Sequence, residues 1–288
     1  MTASYSEEPA RAEPLRLPDP ALLFEERAAR FRALAEGHAA PEWLLLLSRV
    51  AAGQRAAVRD VAVEPVRAGA AGPPLAHDRL PRDGAWRRML GAVVAAARAP
   101  GLPGETLDAL RRLEASEVSQ LEALADAVLG GNVPPDRLAC APFVAAALQA
   151  WFAALSSRLD PAALGGGAAS CPVCGAPPVA GVVQGTDRLR YLSCALCAAE
   201  WNVPRLRCTA CGKEGDLSYL HVDGDDGAKA EACGGCRAYL KLFDEAKRPG
   251  AEAAADDAAT LALDLLLGEE GWRRAGVNLY VGAAGADA

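Results

Sequence analysis

The sequence predicts a multi-domain α+β fold, in which an all-helical N-terminal domain precedes two small cysteine-rich β modules and a C-terminal helix. Three observations carry this prediction. Apolar residues recur at steps of three and four over most of the first 165 residues, which is typical of helices. Four C-x-x-C pairs then follow within residues 171–236, among short runs of strand-prone residues. A helical pattern returns over residues 251–272.

The helical pattern divides the N-terminal domain into separate stretches. Phe24, Ala28, Phe31 and Ala35 lie on one face of the first stretch. The spacing predicts helices over residues 23–36, 42–57, 85–97, 105–129 and 142–159. Proline and glycine crowd residues 68–84, so we expect a long connection across the surface there.

A run of three glycines at residues 165–167 marks the predicted boundary between the helical domain and the cysteine-rich region. Asp256 and Asp257 fall early in the predicted C-terminal helix, where carboxylates suit the positive end of the helix dipole. We therefore interpret them as helix-start residues and not as a catalytic pair. The predicted domains are residues 1–165 (helical), 166–204 (first module), 205–248 (second module) and 249–288 (C-terminal helix and tail).

Composition disfavours several classes of protein. Half of the residues are apolar and 23% are charged, which is typical of a globular chain in water. The net charge of −7 disfavours a protein whose main task is to neutralise nucleic-acid phosphates. The apolar runs at 143–155 and 261–267 are shorter than the roughly 18 to 20 residues that span a bilayer, and the N-terminus lacks a secretory pattern. We expect a cytoplasmic protein without stable membrane insertion, whose cysteines remain reduced.

The eight paired cysteines predict two metal sites. Four thiolates from two C-x-x-C pairs form a tetrahedral site that suits zinc or a single iron. Neighbouring pairs are one hairpin apart, so we expect the first pair to share a site with the second, and the third with the fourth; a crossed arrangement stays open. The predicted ligands are Cys171, Cys174, Cys194 and Cys197 for one site and Cys208, Cys211, Cys233 and Cys236 for the other. Such hairpins make two rubredoxin-like, or zinc-ribbon-like, modules.

The cysteine pattern leaves the role of the metals open. Both ions could only stabilise modules that are too small to fold on a core of their own. Alternatively, at least one site holds redox-active iron. Residues 187–248 contain ten Lys or Arg and ten Asp or Glu without a basic stripe, so a nucleic-acid-binding zinc ribbon is disfavoured. Spacing alone does not choose between iron and zinc.

The remaining candidate residues indicate no active site. Cys140 precedes a predicted helix and is interpreted as a packed small apolar residue. His221 is interpreted as an ordinary strand histidine, and His38 and His77 as loop residues without a chemical role. The sequence has neither a glycine-rich phosphate loop nor an evident nucleophile with a histidine partner, so we expect the chain not to be an enzyme.

Several stretches of the chain are distinctive when taken together. In the cysteine-rich half they are CPVCGAPPVAGVV, LRYLSCALCAAEWNVPRLRCTACG, KAEACGGCRAYLK and ADDAATLALDLLLGEEGWRRAGVNLY. In the helical half they are LFEERAARFRALAEGH and PLAHDRLPRDGAWRRML. Together these stretches resemble the FdhE family of formate dehydrogenase accessory proteins. The resemblance covers nearly the whole chain, whereas a generic ribbon protein would match a single hairpin.

The resemblance implies a cytoplasmic maturation factor for respiratory formate dehydrogenase. Such a factor contacts the catalytic subunit of that enzyme before its twin-arginine export, and it binds iron through the four cysteine pairs. Zinc is the alternative metal. The fold implied is a helical domain followed by two rubredoxin-like modules, which agrees with the fold predicted from the residues.

Two further expectations and two rival functions accompany this interpretation. Trp201 and Tyr239 follow their cysteine pairs, and we expect them to shield the metal modules, although an aromatic anchor for a partner stays open. The rivals are a rubredoxin-like electron-transfer protein and, with less support, a nucleic-acid-binding ribbon. If iron is partly exposed, air could remove it and let cysteines couple two chains, so a homodimer stays open.

Overall fold

Helices fill the N-terminal half of the chain, and strands with two short helices fill the C-terminal half. The structure, a computed structural model, describes residues 12–65, 72–166 and 169–281. The helices of the first half are α1 (Pro20–Ala35), α2 (Pro41–Asp60), α3 (Ala85–Ala97), α4 (Gly104–Ala115), α5 (Val118–Leu129) and α6 (Ala141–Ser156). Within the described ranges, none of the helices has both the length and the apolar character needed to cross a bilayer.

Most of the strands lie in the C-terminal half, and one short strand lies near the N-terminus. The strands are β1 (Leu15–Arg16), β2 (Pro178–Gln184), β3 (Leu189–Cys194), β4 (Glu200–Asn202), β5 (Leu217–Leu220), β6 (Ala228–Cys233), β7 (Ala238–Asp244) and β8 (Arg273–Arg274). Two helices, α7 (Ala253–Ala258) and α8 (Leu261–Glu269), separate β7 from β8. The α+β fold with an N-terminal helical domain is thus confirmed.

Helix α6 is the centre of the helical domain. From Phe143 to Ser156 all its residues are buried, because its sequence is apolar on all sides. It packs against α2 and α3 on one side and against α5 on another. The rings of Trp151 and Phe152 meet edge to face at 5.0 Å between centroids. Residues of α6 therefore contact both the helical core and the cysteine-rich half.

The predicted helix over residues 105–129 is two helices, α4 and α5, with a break at Ser116 and Glu117. Glu117 caps α5: its side chain accepts a hydrogen bond from the backbone of Gln120, and the side chain of Gln120 accepts one from the backbone N–H of Glu117. This reciprocal capping box satisfies two backbone donors and favours a new helix start at that position.

The two cysteine-rich modules share one sheet. Its strand order is β1-β4-β3-β2-β7-β6-β5. Strand β8 lies off this path and pairs in parallel with Ala238 and Tyr239 of β7, whereas β2 pairs with residues 242–244 of that strand. All neighbours on the path are antiparallel except β2 and β7, which are parallel, with Gly181 opposite Leu242. A Cβ at position 181 would lie 2.5 Å from Leu242 Cδ2, so glycine permits this close pairing. The strands of the two modules are therefore joined in one continuous sheet.

The predicted helix over residues 251–272 is also two helices, and Lys241 of β7 explains the break. The Nζ atom of Lys241 donates to the carbonyl oxygens of Asp257 (2.7 Å) and Thr260 (3.3 Å). A helix that continued through Thr260 would use such carbonyls for its own backbone N–H groups. The chain instead turns at Thr260 and restarts as α8.

The connection over residues 68–84, which was predicted to cross the surface, is partly buried. Its first four residues lie outside the described ranges. Leu75 and Ala76 are buried, and the backbone N–H of Leu75 donates to the carbonyl oxygen of Val173 at 2.9 Å. The connection is held against the first cysteine pair because its backbone forms hydrogen bonds with that pair.

Candidate metal centres

The first candidate centre is a buried group of four sulfur atoms. Sγ of Cys171 lies 3.5 Å from Sγ of Cys197, and Sγ of Cys174 lies 3.4 Å from Sγ of Cys194. All four sulfurs lie within 4.8 Å of one another, and the four cysteines are at most 3% exposed. The four residues come from the first and second C-x-x-C pairs, as the hairpin spacing predicts. We call this group the first cluster.

The second cluster has the same construction but is open to solvent. Sγ of Cys208 lies 3.8 Å from Sγ of Cys236, and Sγ of Cys211 lies 3.9 Å from Sγ of Cys233. Cys208 and Cys233 are buried, Cys236 is half-buried and Cys211 is exposed. The third and fourth pairs thus meet each other, and the crossed arrangement is not the one that forms.

Both clusters fit a tetrahedral ion. Metal–sulfur bonds of about 2.3 Å in a tetrahedron place the sulfurs about 3.8 Å apart. The four distances given above, from 3.4 to 3.9 Å, lie close to that value. Four thiolate donors in this arrangement suit zinc or a single iron ion. Each cluster could therefore hold one metal ion.

Each C-x-x-C pair closes in a tight turn that directs backbone N–H groups at sulfur. The N–H of Val173 donates to Sγ of Cys171, and the N–H of Leu196 donates to Sγ of Cys194, both with N···S of 3.4 Å. Such hydrogen bonds stabilise thiolate ligands. The residue after each second cysteine has a positive φ, and these residues are Gly175 (+76°), Ala198 (+58°), Gly212 (+72°) and Arg237 (+57°).

Only two of these four turns therefore use the glycine that the sequence pattern leads one to expect. Ala198 and Arg237 hold a left-handed backbone that costs an L-residue roughly 1–2 kcal/mol. The side chain of Arg237 compensates, since its guanidinium lies 3.9 Å from the centre of the Trp272 ring and donates to the carbonyl oxygen of Glu270 at 2.6 Å. No sequence signal marked these two residues, because neither is of a type that favours such turns.

The pKa values of the thiols differ within each cluster. Burial, and hydrogen bonds with the neighbouring sulfurs, raise the pKa of Cys197 well above the ordinary value. In Cys171, hydrogen bonds from the other three cysteines outweigh burial and lower the pKa well below that value. In the second cluster, burial raises the pKa of Cys208 to about 12, whereas a backbone hydrogen bond from Lys213 lowers that of Cys211 to about 7. The pKa of Cys171 in the first cluster and of Cys211 in the second is thus lowered, which favours the thiolate, the form of cysteine that binds metal ions.

The helical half of the molecule contacts the turns of the first cluster. The carboxamide Nε2 of Gln149 donates to the carbonyl oxygen of Ala195 at 2.7 Å. The hydroxyl of Ser156 shares its proton between the carbonyl oxygen of Cys197 at 3.2 Å and that of Ala153, in its own helix, at 3.1 Å. His77 contacts the carbonyl oxygen of Cys174 with its backbone N–H and with Nδ1, both at 2.9 Å. His77 was expected to have no role, and the structure places it beside a candidate ligand.

Other residues singled out in the sequence lie away from the clusters or inside the core. Cys140 is the N-cap residue of α6 and is buried, as expected for a packed residue. His221 lies directly after β5 and not within a strand, as was expected, and it belongs to neither cluster. Trp201 and Tyr239 are almost completely buried, and the hydroxyl of Tyr239 donates to Asp264 at 2.7 Å. Their burial agrees with shielding and contradicts the alternative of an aromatic anchor for a partner.

Asp256 and Asp257 have a larger role than starting a helix. Asp256 accepts a hydrogen bond from the backbone N–H of Glu252 at 2.7 Å, which does support the start of α7. Both carboxylates are also fully buried within ion pairs. Asp256 pairs with Arg30 of α1 at 2.7 Å, so it joins the C-terminal segment to the helical domain. Two adjacent aspartates in a helical pattern do not reveal such distant cations.

The fold and its paired centres define a class of protein in which a helical domain carries a sheet with two four-cysteine sites. Family models described as FdhE N-terminal, FdhE central domain and FdhE C-terminal domain match residues 12–167, 170–205 and 206–281. The chain belongs to the FdhE family, and the resemblance seen in its sequence is confirmed.

Individual relatives match over the same extent. The chain is 39% identical to a protein FdhE homolog of Edwardsiella ictaluri over 284 residues, which cover 93% of this chain and 91% of that relative. It is 35% identical to a protein FdhE homolog of Cronobacter sakazakii over 281 residues, with the same coverage. The crystal structure of the FdhE protein from Pseudomonas aeruginosa superposes with a TM-score of 0.85 and 36% identity, covering 94% of this chain and 99% of that one.

Proposed function

We propose that the protein is a cytoplasmic accessory factor for the maturation of respiratory formate dehydrogenase. In this role it binds the catalytic subunit of that enzyme before twin-arginine export, and it performs no catalysis of its own. The observation that carries the proposal is membership of the FdhE family over the three family segments, together with two complete four-cysteine clusters in one sheet.

We further propose that each cluster binds one iron ion, with zinc as the alternative. The ligands are the sulfurs of Cys171, Cys174, Cys194 and Cys197 in the first cluster and of Cys208, Cys211, Cys233 and Cys236 in the second. The distances between sulfurs support this assignment, and they suit both metals. Metal analysis of protein purified from its own host under anaerobic conditions distinguishes two irons, two zincs and one of each.

The surface of the cysteine-rich half supports binding of a protein client. Leu206 lies two residues before Cys208 and is 76% exposed. Leu265 and Leu266 of α8 are also exposed, at 71% and 49%. Single exposed apolar residues are common, whereas adjacent ones such as Leu265 and Leu266 favour contact with another protein. An accessory factor needs such a surface to hold a client before export.

The proposal is tested by capturing partners with a tagged chain in its own host, grown so that formate dehydrogenase is made. We expect the catalytic subunit of formate dehydrogenase to co-purify. Variants in which one cysteine pair is changed to serine serve as comparisons, with Cys140→Ser as the matched control for a cysteine outside both clusters. Recovery of a redox partner, of RNA polymerase or of no specific protein would contradict the proposal.

One observation favours a second candidate function, that of an electron-transfer protein. A rubredoxin-like iron must lie near the surface to exchange electrons, and Cys211 of the second cluster is exposed. This alternative expects a coloured protein with a reversible redox couple, and a partner enzyme whose reduction depends on that couple. If client capture is unchanged between the oxidised and reduced protein, the maturation role is favoured over electron transfer.

A further inference from the structure

The two clusters share a ligand geometry but differ in their surroundings. In the first cluster all four cysteines are buried. In the second cluster Cys211 is exposed and Cys236 is half-buried, so one side of the site faces solvent. Identical ligand sets in unequal surroundings do not release or exchange a metal at the same rate, because exchange requires an incoming ligand to reach the ion.

The first cluster is held closed by the helical domain. The side chains of Gln149 and Ser156, both on α6, and of His77 contact carbonyl oxygens within its turns. Gln149 is itself fixed, because its Oε1 accepts from Nε2 of Gln54 at 3.2 Å. Gln54 in turn accepts a hydrogen bond from the hydroxyl of Tyr280. To open these turns, the chain must break buried hydrogen bonds that extend through the helical core.

The second cluster has weaker support on its outer side. Its first turn, with Cys208 and Cys211, lies between Arg207 and Glu214, which form a backbone bridge and an exposed ion pair whose side chains are 52% and 65% exposed. Exposed pairs of this kind contribute little, about 0–1 kcal/mol. Thr209, within the same turn, has a buried hydroxyl oxygen with no hydrogen-bond partner. The guanidinium of Arg190 holds the carbonyl oxygen of Arg207 just before this turn, whereas the Cys211 end of the turn is exposed. Cys211 can therefore move away from the other pair at a smaller cost than a cysteine of the first cluster.

We infer that the second cluster exchanges its metal with external thiol ligands, whereas the first cluster keeps its metal as a fixed part of the fold. With a metal held there, an incoming thiol would replace Cys211 as a ligand, so that one metal–sulfur bond would be lost and one gained. The incoming thiol would give its proton to solvent, the Cys211 sulfur would be released, and no oxidation state would change. The second cluster is thus a site at which a small thiol or a cysteine of a partner binds the metal.

This inference rests on the metal occupancy proposed above, so the experiment first counts the metals. The full-length reduced protein is loaded with Co²⁺ alone, whose thiolate absorption reports each bound ion. EDTA and glutathione are then added in excess, and the decay of that absorption is followed. We expect two equivalents to bind and to leave in two phases of equal amplitude, separated at least tenfold in rate.

Two variants assign the phases. Cys211→Ser is expected to remove or accelerate the fast phase and to leave the slow phase unchanged. Ser156→Ala removes one hydrogen bond to the first cluster and is expected to accelerate the slow phase roughly threefold to tenfold, without effect on the fast phase. Ser157→Ala is the matched control, because the Ser157 hydroxyl donates to the carbonyl oxygen of Ala154 within α6 and not to a cysteine turn.

A second measurement needs no variant. A short pulse of iodoacetamide on the Co²⁺-loaded wild-type protein, followed by mass spectrometry, is expected to label Cys211 and Cys236 before any cysteine of the first cluster. Binding of fewer than two ions would overturn the metal occupancy and this inference together. Two ions that leave in one phase, or a Ser156→Ala variant that accelerates both phases equally, would overturn the inference alone.

Discussion

The guanidinium of Arg190 on β3 forms an ion pair with the carboxylate of Glu231 on β6, and both side chains are buried. The same guanidinium donates to the carbonyl oxygens of Pro204 and Arg207, in the segment that joins the two halves of the sheet. Arg190 therefore connects the module of the first cluster, the linker and the module of the second cluster. The two modules are linked by this buried charge as well as by the pairing of β2 with β7.

Arg190→Met is expected to destabilise the protein by about 3–5 kcal/mol, because it leaves the buried carboxylate of Glu231 without its cation. Denaturation by guanidinium chloride, with the metals in place, measures this change. Arg98→Met is the matched control, since Arg98 forms an exposed pair with Glu114 at 2.5 Å, and we expect a loss of at most about 1 kcal/mol. Equal losses in the two variants would contradict a structural role for the buried pair.

Gly53→Ala is expected to destabilise the helical domain by about 1–3 kcal/mol through overpacking. A Cβ on Gly53 of α2 would lie 2.8 Å from Cβ of Ala96 and 2.9 Å from Cα of Val93, both on α3. Gly91→Ala is the control, because a Cβ there would have no atom within 4 Å, and alanine favours a helix by up to about 1 kcal/mol. Thermal unfolding should therefore shift in opposite directions, and a shift of the same sign would contradict the close contact of α2 with α3.

Features with a local signal could be predicted from the sequence. The cysteine pairing follows from hairpin lengths, and helices α3 and α6 follow from their apolar spacing. The break between α4 and α5 also had a local signal, the Glu117 and Gln120 capping pattern, which the long helical periodicity obscured. A boundary of this kind depends on a few polar side chains and not on the apolar repeat.

Features that depend on distant partners could not be predicted in this way. The parallel pairing of β2 with β7 places Gly181 opposite Leu242. Neither segment has a sequence feature that indicates its pairing with the other. Gln149 and Ala195 form a hydrogen bond although they are also far apart in the chain. A glutamine within an apolar helix does not indicate which residue it will contact. The ligands of the candidate centres were therefore predictable, whereas the residues that make the two centres different were not.

Ala198→Gly is expected to stabilise the protein by up to about 1 kcal/mol. Glycine adopts a φ of +58° without the steric penalty of alanine, and its greater freedom in the unfolded chain offsets part of that gain. Ala195→Gly is the matched control, because Ala195 lies in the same turn, is buried and is not among the residues of positive φ. That control should lose stability, and a loss in both variants would show that the turn is not strained at Ala198.

The last prediction concerns pH and the buried carboxylate of Asp257. This carboxylate accepts two hydrogen bonds from Arg274, both at 2.6 Å, and lies 3.0 Å from Nζ of Lys241. Burial alone would raise its pKa, but Lys241 and Arg274 outweigh burial and hold the pKa below the ordinary value of 3.8. The unfolded chain therefore binds the proton more tightly than the native protein. The stability that Asp257 contributes is complete above the ordinary pKa and is lost as the pH falls towards the native pKa.

Asp257→Asn should therefore lower the free energy of unfolding at pH 7 by about 3–5 kcal/mol, because the buried Lys241 and the half-buried Arg274 lose a charged partner. The difference from wild type should stay constant down to about pH 5 and then narrow as the pH falls below about 4. Denaturant titrations at several pH values measure this, with Asp226→Asn as a control at a 66% exposed carboxylate. A stability difference between variant and wild type that stays constant down to pH 3 would show that Asp257 has the same pKa in the native and the unfolded protein. This follows because stability changes with pH wherever the native and unfolded proteins bind different numbers of protons.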